Sequence, residues 1–417
     1  MTHQDIRDKI LDLHRSIFLE PPAGQTGYRH QFLATHAVIE MWETDATRHL
    51  TWELAKETTS TRPKLAHGDR ESYAKLLVEV IKQRLFNPAF YSFPFPPRGS
   101  LFAHISNPDL NAFADSLWTE FLSAAEAAVR TWLTIHPLPK VKLSVPTQTF
   151  GNVKIIAAND AAAWQTLARS FPVITSFNPL LGFFQSDGGG YAFNTTANVW
   201  LVAEHAGTVD AARQRATREM SVLIALMFAT AKKPGHFLKS GADPVNRVLQ
   251  ISDVAVDGTS TVQFGSIVEL LPPLLNELHF DAAILTDVEA WFRKRASTAS
   301  KAGRASVAAS FYHHGLMADD LERFVHLFVV MDALFGIPYQ VGQKINEGAL
   351  AVFSGDTAWE DRATKLYNLR NAIVHGDISA LQDWAGRDAY YSLFKAKPEN
   401  EVITLATTSL LRFFDIP

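Results

Sequence analysis

The chain has no cysteine among its 417 residues. That excludes disulfides, thiolate catalysis and cysteine-ligated zinc together, and it suits a reducing compartment. Also missing is any run of about eighteen apolar residues, the length a membrane-crossing helix needs. The most apolar stretch, HLFVVMDALFGI, is interrupted by Asp332. The first residues, MTHQDIRDKILDLHRSIF, are charged and lack the apolar core of a secretory signal. The expectation is a soluble cytoplasmic protein with no membrane partner. There is no excess of basic charge either: the net charge is −4. A globally basic nucleic-acid binder is therefore excluded, and any contact to nucleic acid has to come from local patches.

What is present is apolar surface: 47% of the residues are hydrophobic, enough for about two or three domains. The expected fold class is α+β multidomain and mainly α, in three regions. Residues 1–138 read as a helical N-terminal region. Leu11, Ile17 and Phe18 give one apolar stripe there, and Phe32, Val38, Ile39 and Trp42 give another. ESYAKLLVEVIKQRLF is a further amphipathic helix. The Pro/aromatic stretch from Asn87 to Ser100 forbids a helix. A long helix is predicted from Asn107, as N-cap, to Leu133. Residues 139–283 read as an α+β middle region. VKLSVP, NVKIIAA, ANVWLVAEH and VLQISDVAVDGTSTVQFGSIVEL have strand character, and ARQRATREMSVLIALMFATA has helical spacing. Residues 284–417 read as a helical bundle with five helices: DVEAWFRKRAS, RASVAASFYHHGLM, DDLERFVHLFVVMDALFG, WEDRATKLYNLRNAIVH and EVITLATTSLLRFF. Asp319 is placed to cap the third. Gly336 and Pro338 end it, and Gly376 ends the fourth.

Arginine followed by histidine after four to six residues occurs six times: Arg7/His14, Arg29/His36, Arg62/His67, Arg98/His104, Arg130/His136 and Arg370/His375. Spacing alone decides nothing. Arg62 precedes a proline, Arg98/His104 follows the proline-rich stretch, and Arg130/His136 straddles the expected helix end before Pro137. Arg7/His14 and Arg29/His36 fall on expected helices, as solvated charge and a satisfied histidine. Arg370/His375 differs in context. It closes a helix that stops at Gly376, and Asn371 lies four residues before His375 on the same face. Histidine can accept a proton near neutral pH. A guanidinium meets two phosphate oxygens in a fork and keeps its charge. Five positions on one helix differ by about 140° in azimuth, so two such helices would converge an Arg and a His better than one. The plain alternative is a pair of cations soothing the last carbonyls of a helix.

FVVMDALFG, LYNLRNAIVHG and the closing helix ending LLRFF together resemble the HEPN superfamily, and within it the Apea-like HEPN domains, over roughly the last 130 residues. The resemblance implies a helical bundle that dimerises with its motif helices face to face. It further implies RNA cleavage without a metal or cofactor, the ribose 2′-hydroxyl acting as nucleophile. Arg370 would then be the phosphate clamp, Asn371 its polar neighbour and His375 the proton-transfer residue. Asp332 stands where related domains often carry an acidic residue, and its role depends on whether so short a side chain reaches Arg370. The resemblance points to an RNA substrate and a homodimer, in the manner of bacterial anti-phage or toxin effectors. The preceding residues would sense a phage-derived or nucleotide trigger. The alternative is a catalytically silent dimerisation or nucleotide- or RNA-binding module on the same bundle.

Other features carry less. Arg293, Lys294, Arg295, Lys301 and Arg304 form a basic cluster, read either as RNA backbone contact or as a solvated helix face. His313 and His314 are adjacent and point apart, which argues against a metal pair. Asp187 to Gly190 is read as a turn, since the lysine of a phosphate loop is missing. Tyr91, Phe93 and Phe95 are read as packing rather than base stacking. His36 and Glu40 have metal-ligand spacing without a third ligand.

Overall fold

Thr2 and Asp5 open the first helix reciprocally: each side chain accepts the other's backbone N–H, which satisfies two donors that a helix start leaves free. The computed structural model describes residues 1–22, 28–34, 37–93, 97–186, 189–193, 195–231, 247–255, 258–266, 269–272 and 274–416. The chain is mainly helical, with thirteen α-helices among the described residues, and none of these is long and apolar enough to cross a membrane. It divides into two compact units, residues 1–132 with 206–212, and residues 133–205 with 213–417.

The first unit contains α1 (His3–Ser16), β1 (Ile17–Phe18), β2 (Tyr28–Ala34), β3 (Ala37–Glu43), α2 (Asp45–Thr61), α3 (Arg70–Arg84) and α4 (Leu110–Ala128). Ile10, Leu13, Leu54, Tyr73, Leu77, Ile81, Phe113 and Phe121 meet in its core. The region is not helical throughout, as the sequence reading had it. Phe32, Val38, Ile39 and Trp42 belong to an antiparallel hairpin, with Phe32 opposite Ile39 and Arg29 opposite Trp42. Ile17 and Phe18 pair with Glu43 and Trp42. The i, i+3, i+4 spacing of residues 38, 39 and 42 imitates a helix face, but β-branched and aromatic residues favour strands. α4 starts two residues later than expected: Asp109, not Asn107, is the N-cap, accepting from the Asn111 and Ala112 N–H groups at 3.0 Å. It also ends earlier, at Ala128.

β4 (Arg130–Leu138) begins directly after it, nine residues before the expected start of the middle region at 139. β5 (Val141–Leu143), β6 (Thr147–Phe150), β7 (Val153–Ala157), α5 (Ala161–Ser170), β8 (Phe177–Asn178), β9 (Phe183–Ser186), β10 (Gly189–Ala192), β11 (Val199–Gly207), α6 (Val209–Thr230), β12 (Arg247–Ser252), β13 (Val262–Ser266) and β14 (Leu278–Phe280) follow. Six of them form one sheet in the order β13-β12-β4-β11-β7-β6. Alternate residues of β4 and β11 serve different cores. Leu133, Ile135, Trp200 and Val202 pack with Leu167 of α5, while Leu138, Val199, Leu201 and Ala203 pack with α6. Both faces are buried, which is why these strands read as apolar runs.

The C-terminal helices are α7 (Ala282–Ser297), α8 (Ala299–Met317), α9 (Asp320–Phe335), α10 (Val341–Val352), α11 (Thr357–Val374), α12 (Arg387–Phe394) and α13 (Pro398–Arg412). The five expected helices are α7, α8, α9, α11 and α13; α10 and the short α12 were not foreseen. One contiguous core joins the α6 side of the sheet to Trp291, Tyr312, Phe328, Met331, Leu366 and Leu405. The molecule is therefore cut differently from the three regions read from sequence. The sheet layer and the C-terminal helices share this core and fall in one unit.

Candidate functional site

α9 and α11 run side by side in the same direction. Phe328 and Tyr367 have ring centroids 6.0 Å apart, and one turn further Asp332 faces Arg370. α10 returns antiparallel to α11. Its Gly342 sits against the Tyr367 ring, where a Cβ would lie 3.2 Å from the nearest ring carbon, and Asn346 Nδ2 donates to Thr364 Oγ1 at 2.8 Å. The C-termini of α9 and α11 consequently lie at the same end of the helical layer.

α11 stops as the sequence predicts. Asp356 caps its start, accepting from the Ala358 N–H at 3.0 Å. Gly376 takes a left-handed backbone, φ +78°. Its N–H donates to Ile373 O at 3.1 Å and the Asp377 N–H donates to Ala372 O at 2.9 Å. This is the Schellman arrangement, which satisfies the last carbonyls and fixes where His375 emerges. Gly376→Ala is expected to lower unfolding stability by about 1 kcal/mol, since an L residue pays that in the left-handed region; paired urea titrations check it.

Arg370 Nη2 donates to Asp332 Oδ2 at 3.4 Å, and Arg370 Nη1 donates to Asn371 Oδ1 at 3.2 Å. Asp332 therefore does reach Arg370. Arg370 and Asp332 are both partly buried, and Arg370 Nε and Asp332 Oδ1 are buried without a hydrogen-bond partner among the described residues. These two atoms belong to the fork that a guanidinium edge and a carboxylate make when fully engaged. Only Nη2 makes the contact to Asp332, and Nη1 is turned towards Asn371. Burial holds the Asp332 carboxyl above the ordinary carboxylate range, against the opposing pull of the Arg370 charge. His375 is the C-cap of α11, with φ −83° and ψ −4°. Its backbone N–H donates to Asn371 O at 2.9 Å. Its ring is exposed, and none of its side-chain atoms is engaged by the described residues.

The structure places the other Arg/His pairs elsewhere: Arg62 pairs with Glu126 at 2.7 Å, and His67 ends a short 3₁₀ turn. Arg7 makes a fork with Asp115, and His14 is buried between Ile10 O at 2.7 Å and Tyr91 Oη at 2.8 Å. Arg29 pairs with Glu40 across the β2–β3 hairpin, which engages that carboxylate; His36 lies outside the described residues. His104 Nε2 bonds Arg98 O at 2.6 Å. Arg130 and His136 do not straddle a helix end. Both lie on β4, and the His136 ring is buried, with Nδ1 at 3.0 Å from Arg247 O. Tyr91 stacks near Phe93 and His14 in the first core, while Phe95, Asp187 and Gly188 lie outside the described residues. His313 is buried on Leu270 O at 2.7 Å, whereas His314 is exposed and faces His326, so the two do point apart.

Four of the five residues of the basic cluster make ties within the chain. Lys294 pairs with Asp415, Arg295 makes a fork with Glu219 at 2.7 and 2.9 Å, and Lys301 donates to Ile416 O. Arg293 lies 3.8 Å from Glu289 and remains largely exposed. Arg304 has a task that sequence did not disclose: it donates to Leu334 O at 3.2 Å and to Gly336 O, gripping the end of α9 one turn beyond Asp332. Asp319 occupies the N-cap position of α9 without capping it; its carboxylate lies 3.8 Å from Arg323.

No family model, curated protein or solved structure matches the chain. The candidate site stands on its own geometry: a braced arginine and an unengaged histidine at one helix end.

Proposed function

We propose that the protein is a metal-independent endoribonuclease of HEPN type, cleaving at Arg370 and His375. The supporting observation is that Asp332 braces Arg370 at 3.4 Å while the His375 ring, at the same helix end, is exposed and unengaged. In this reading the ribose 2′-oxygen attacks the adjacent phosphorus and His375 accepts its proton. The bond to the 5′-oxygen breaks, leaving a 2′,3′-cyclic phosphate and a 5′-hydroxyl. Arg370 faces the non-bridging oxygens, where negative charge grows in the transition state. Asp332 and Asn371 hold the guanidinium; they position and do not react. Protonating the departing 5′-oxygen calls for a second imidazole. The same residue of a second copy supplies it if two α11 ends face each other across a two-fold axis. The residues before the C-terminal helices then serve to sense a trigger, in a defence or toxin effector.

The test is an RNA with a single 2′-deoxy ribose at a mapped cleavage position. Cleavage there is expected to vanish while neighbouring positions persist, and the normal product is expected to carry a cyclic phosphate. Cleavage at the deoxy position would rule out the 2′-hydroxyl as nucleophile.

A further inference from the structure

Tyr339 joins two features that folding does not explain. Its side chain is fully exposed, at 104%. Its backbone is left-handed, φ +68°. That region suits glycine and asparagine, and a bulky aromatic there stores strain. An exposed ring recovers nothing by burial, so the position is one where glycine would fold better. The turn that carries it is well fixed. Pro338 sets its own φ, the Gln340 N–H donates to Ile337 O at 3.0 Å, and Arg304 grips the two carbonyls just before the turn.

The turn's location gives the ring a use. It links the end of α9, where Asp332 meets Arg370, to the start of α10, where Gly342 meets Tyr367. Tyr339 thus stands at the end of the layer where α11 presents Arg370 and, about 7.5 Å further along its axis, His375. Ile337 and Val374 beside them are exposed as well.

We propose that Tyr339 is a substrate-positioning residue that stacks on an unpaired base of the RNA whose phosphate Arg370 binds. The inference rests on the ribonuclease reading and adds to it a preference for single-stranded RNA. An aromatic face tolerates any base, so the preference is for an unstacked nucleotide rather than for a sequence. A ring held on a strained, fixed turn needs no ordering on binding.

The experiment uses the full-length chain carrying His375→Ala, so that bound RNA is not consumed. Binding of a short fluorescein-labelled single-stranded RNA is followed by anisotropy, with and without Tyr339→Gly, Tyr339→Phe and Tyr339→Trp. An oligomer with abasic sites serves as the second probe. Tyr339→Gly is expected to weaken binding by about five- to 150-fold, the range of one lost stack. Phe and Trp are expected to preserve binding, and the abasic oligomer to bind all forms alike. Thermal unfolding supplies a readout that a structural role would move the other way: Tyr339→Gly is expected to raise the midpoint, because it removes the strain. Equal binding by all variants overturns the inference even if the unsubstituted chain cleaves RNA. So does a Tyr339→Gly effect on self-association alone, which would assign the ring to a second copy. Absence of RNA binding by every form overturns both the inference and the ribonuclease. Tyr339-dependent binding without cleavage by the unsubstituted chain keeps the stack and removes only the catalysis.

Discussion

His375→Ala is expected to slow RNA cleavage by about 10²–10⁴-fold, the range a positioned proton-transfer group supplies, and to leave the thermal midpoint unchanged. The ring is exposed and unengaged, so its removal forfeits no packing and strands no partner. Arg370→Ala is expected to slow cleavage by a similar factor, through lost transition-state charge stabilisation. It should also cost stability, because Asp332 would keep a half-buried carboxylate without its counter-charge. Arg370→Lys should fall between, keeping the charge but losing the fork. The competing account makes both residues helix-end cations. It predicts losses of about 0.3–1 kcal/mol in stability and no effect on cleavage. Single-turnover rates and urea midpoints on the same preparations separate the two accounts, because each assigns its large effect to a different measurement.

Acid should unfold the protein well above the range where its carboxylates titrate. His14, His136 and His313 are buried, and burial pushes each imidazole down to about 4. Each bonds a backbone carbonyl: Ile10 O, Arg247 O and Leu270 O. A neutral tautomer with its proton on that nitrogen satisfies the bond. In the unfolded chain the same rings titrate near 6.5, so between pH 6.5 and about 4 the unfolded state binds more protons than the folded one. Stability is therefore fully present above about pH 6.5 and is lost as pH falls towards 4. A displacement of about two and a half pH units corresponds to roughly 3 kcal/mol per histidine. Three such terms are comparable with the whole stability of an ordinary domain, about 5–15 kcal/mol. His14 belongs to the first unit, His136 and His313 to the second. The steeper loss is accordingly expected in the second, resolved by hydrogen exchange of β4 and α8 against α1. Denaturant midpoints that stay level from pH 7 to pH 4.5 would contradict this assignment.

The helix end that carries Arg370 and His375 was legible because its signals are local. Gly376 can be read as a stop since left-handed backbone favours glycine, and the stop places RNAIVH in the last turns of a helix. The Asp332 contact was the open question, because whether a short carboxylate reaches across to another helix depends on an interaxial distance no sequence prints. The same limit hid α10. Gly342 and Gly348 weaken the helical pattern of VGQKINEGALAV, yet packing requires them: a Cβ at Gly348 would lie 2.4 Å from the Phe335 ring. In the first unit, residues 37–43 show how three apolar positions fit two periods; strand pairing with residues 28–34 decided between them. The carbonyl contacts of Arg304 were hidden for a related reason. As a member of a charge run it looks solvated, but its carbonyl partners lie 30 and 32 residues away. The shared core of sheet and C-terminal helices is likewise a long-range property, invisible to a boundary drawn where the period changes.

The central claim is most directly tested by incubating the purified chain with total RNA in EDTA, beside His375→Ala and Arg370→Ala. The account predicts cleavage in EDTA by the unsubstituted chain and its loss in both variants. Cleavage that persists in either variant, or that appears only with added Mg²⁺, would contradict it.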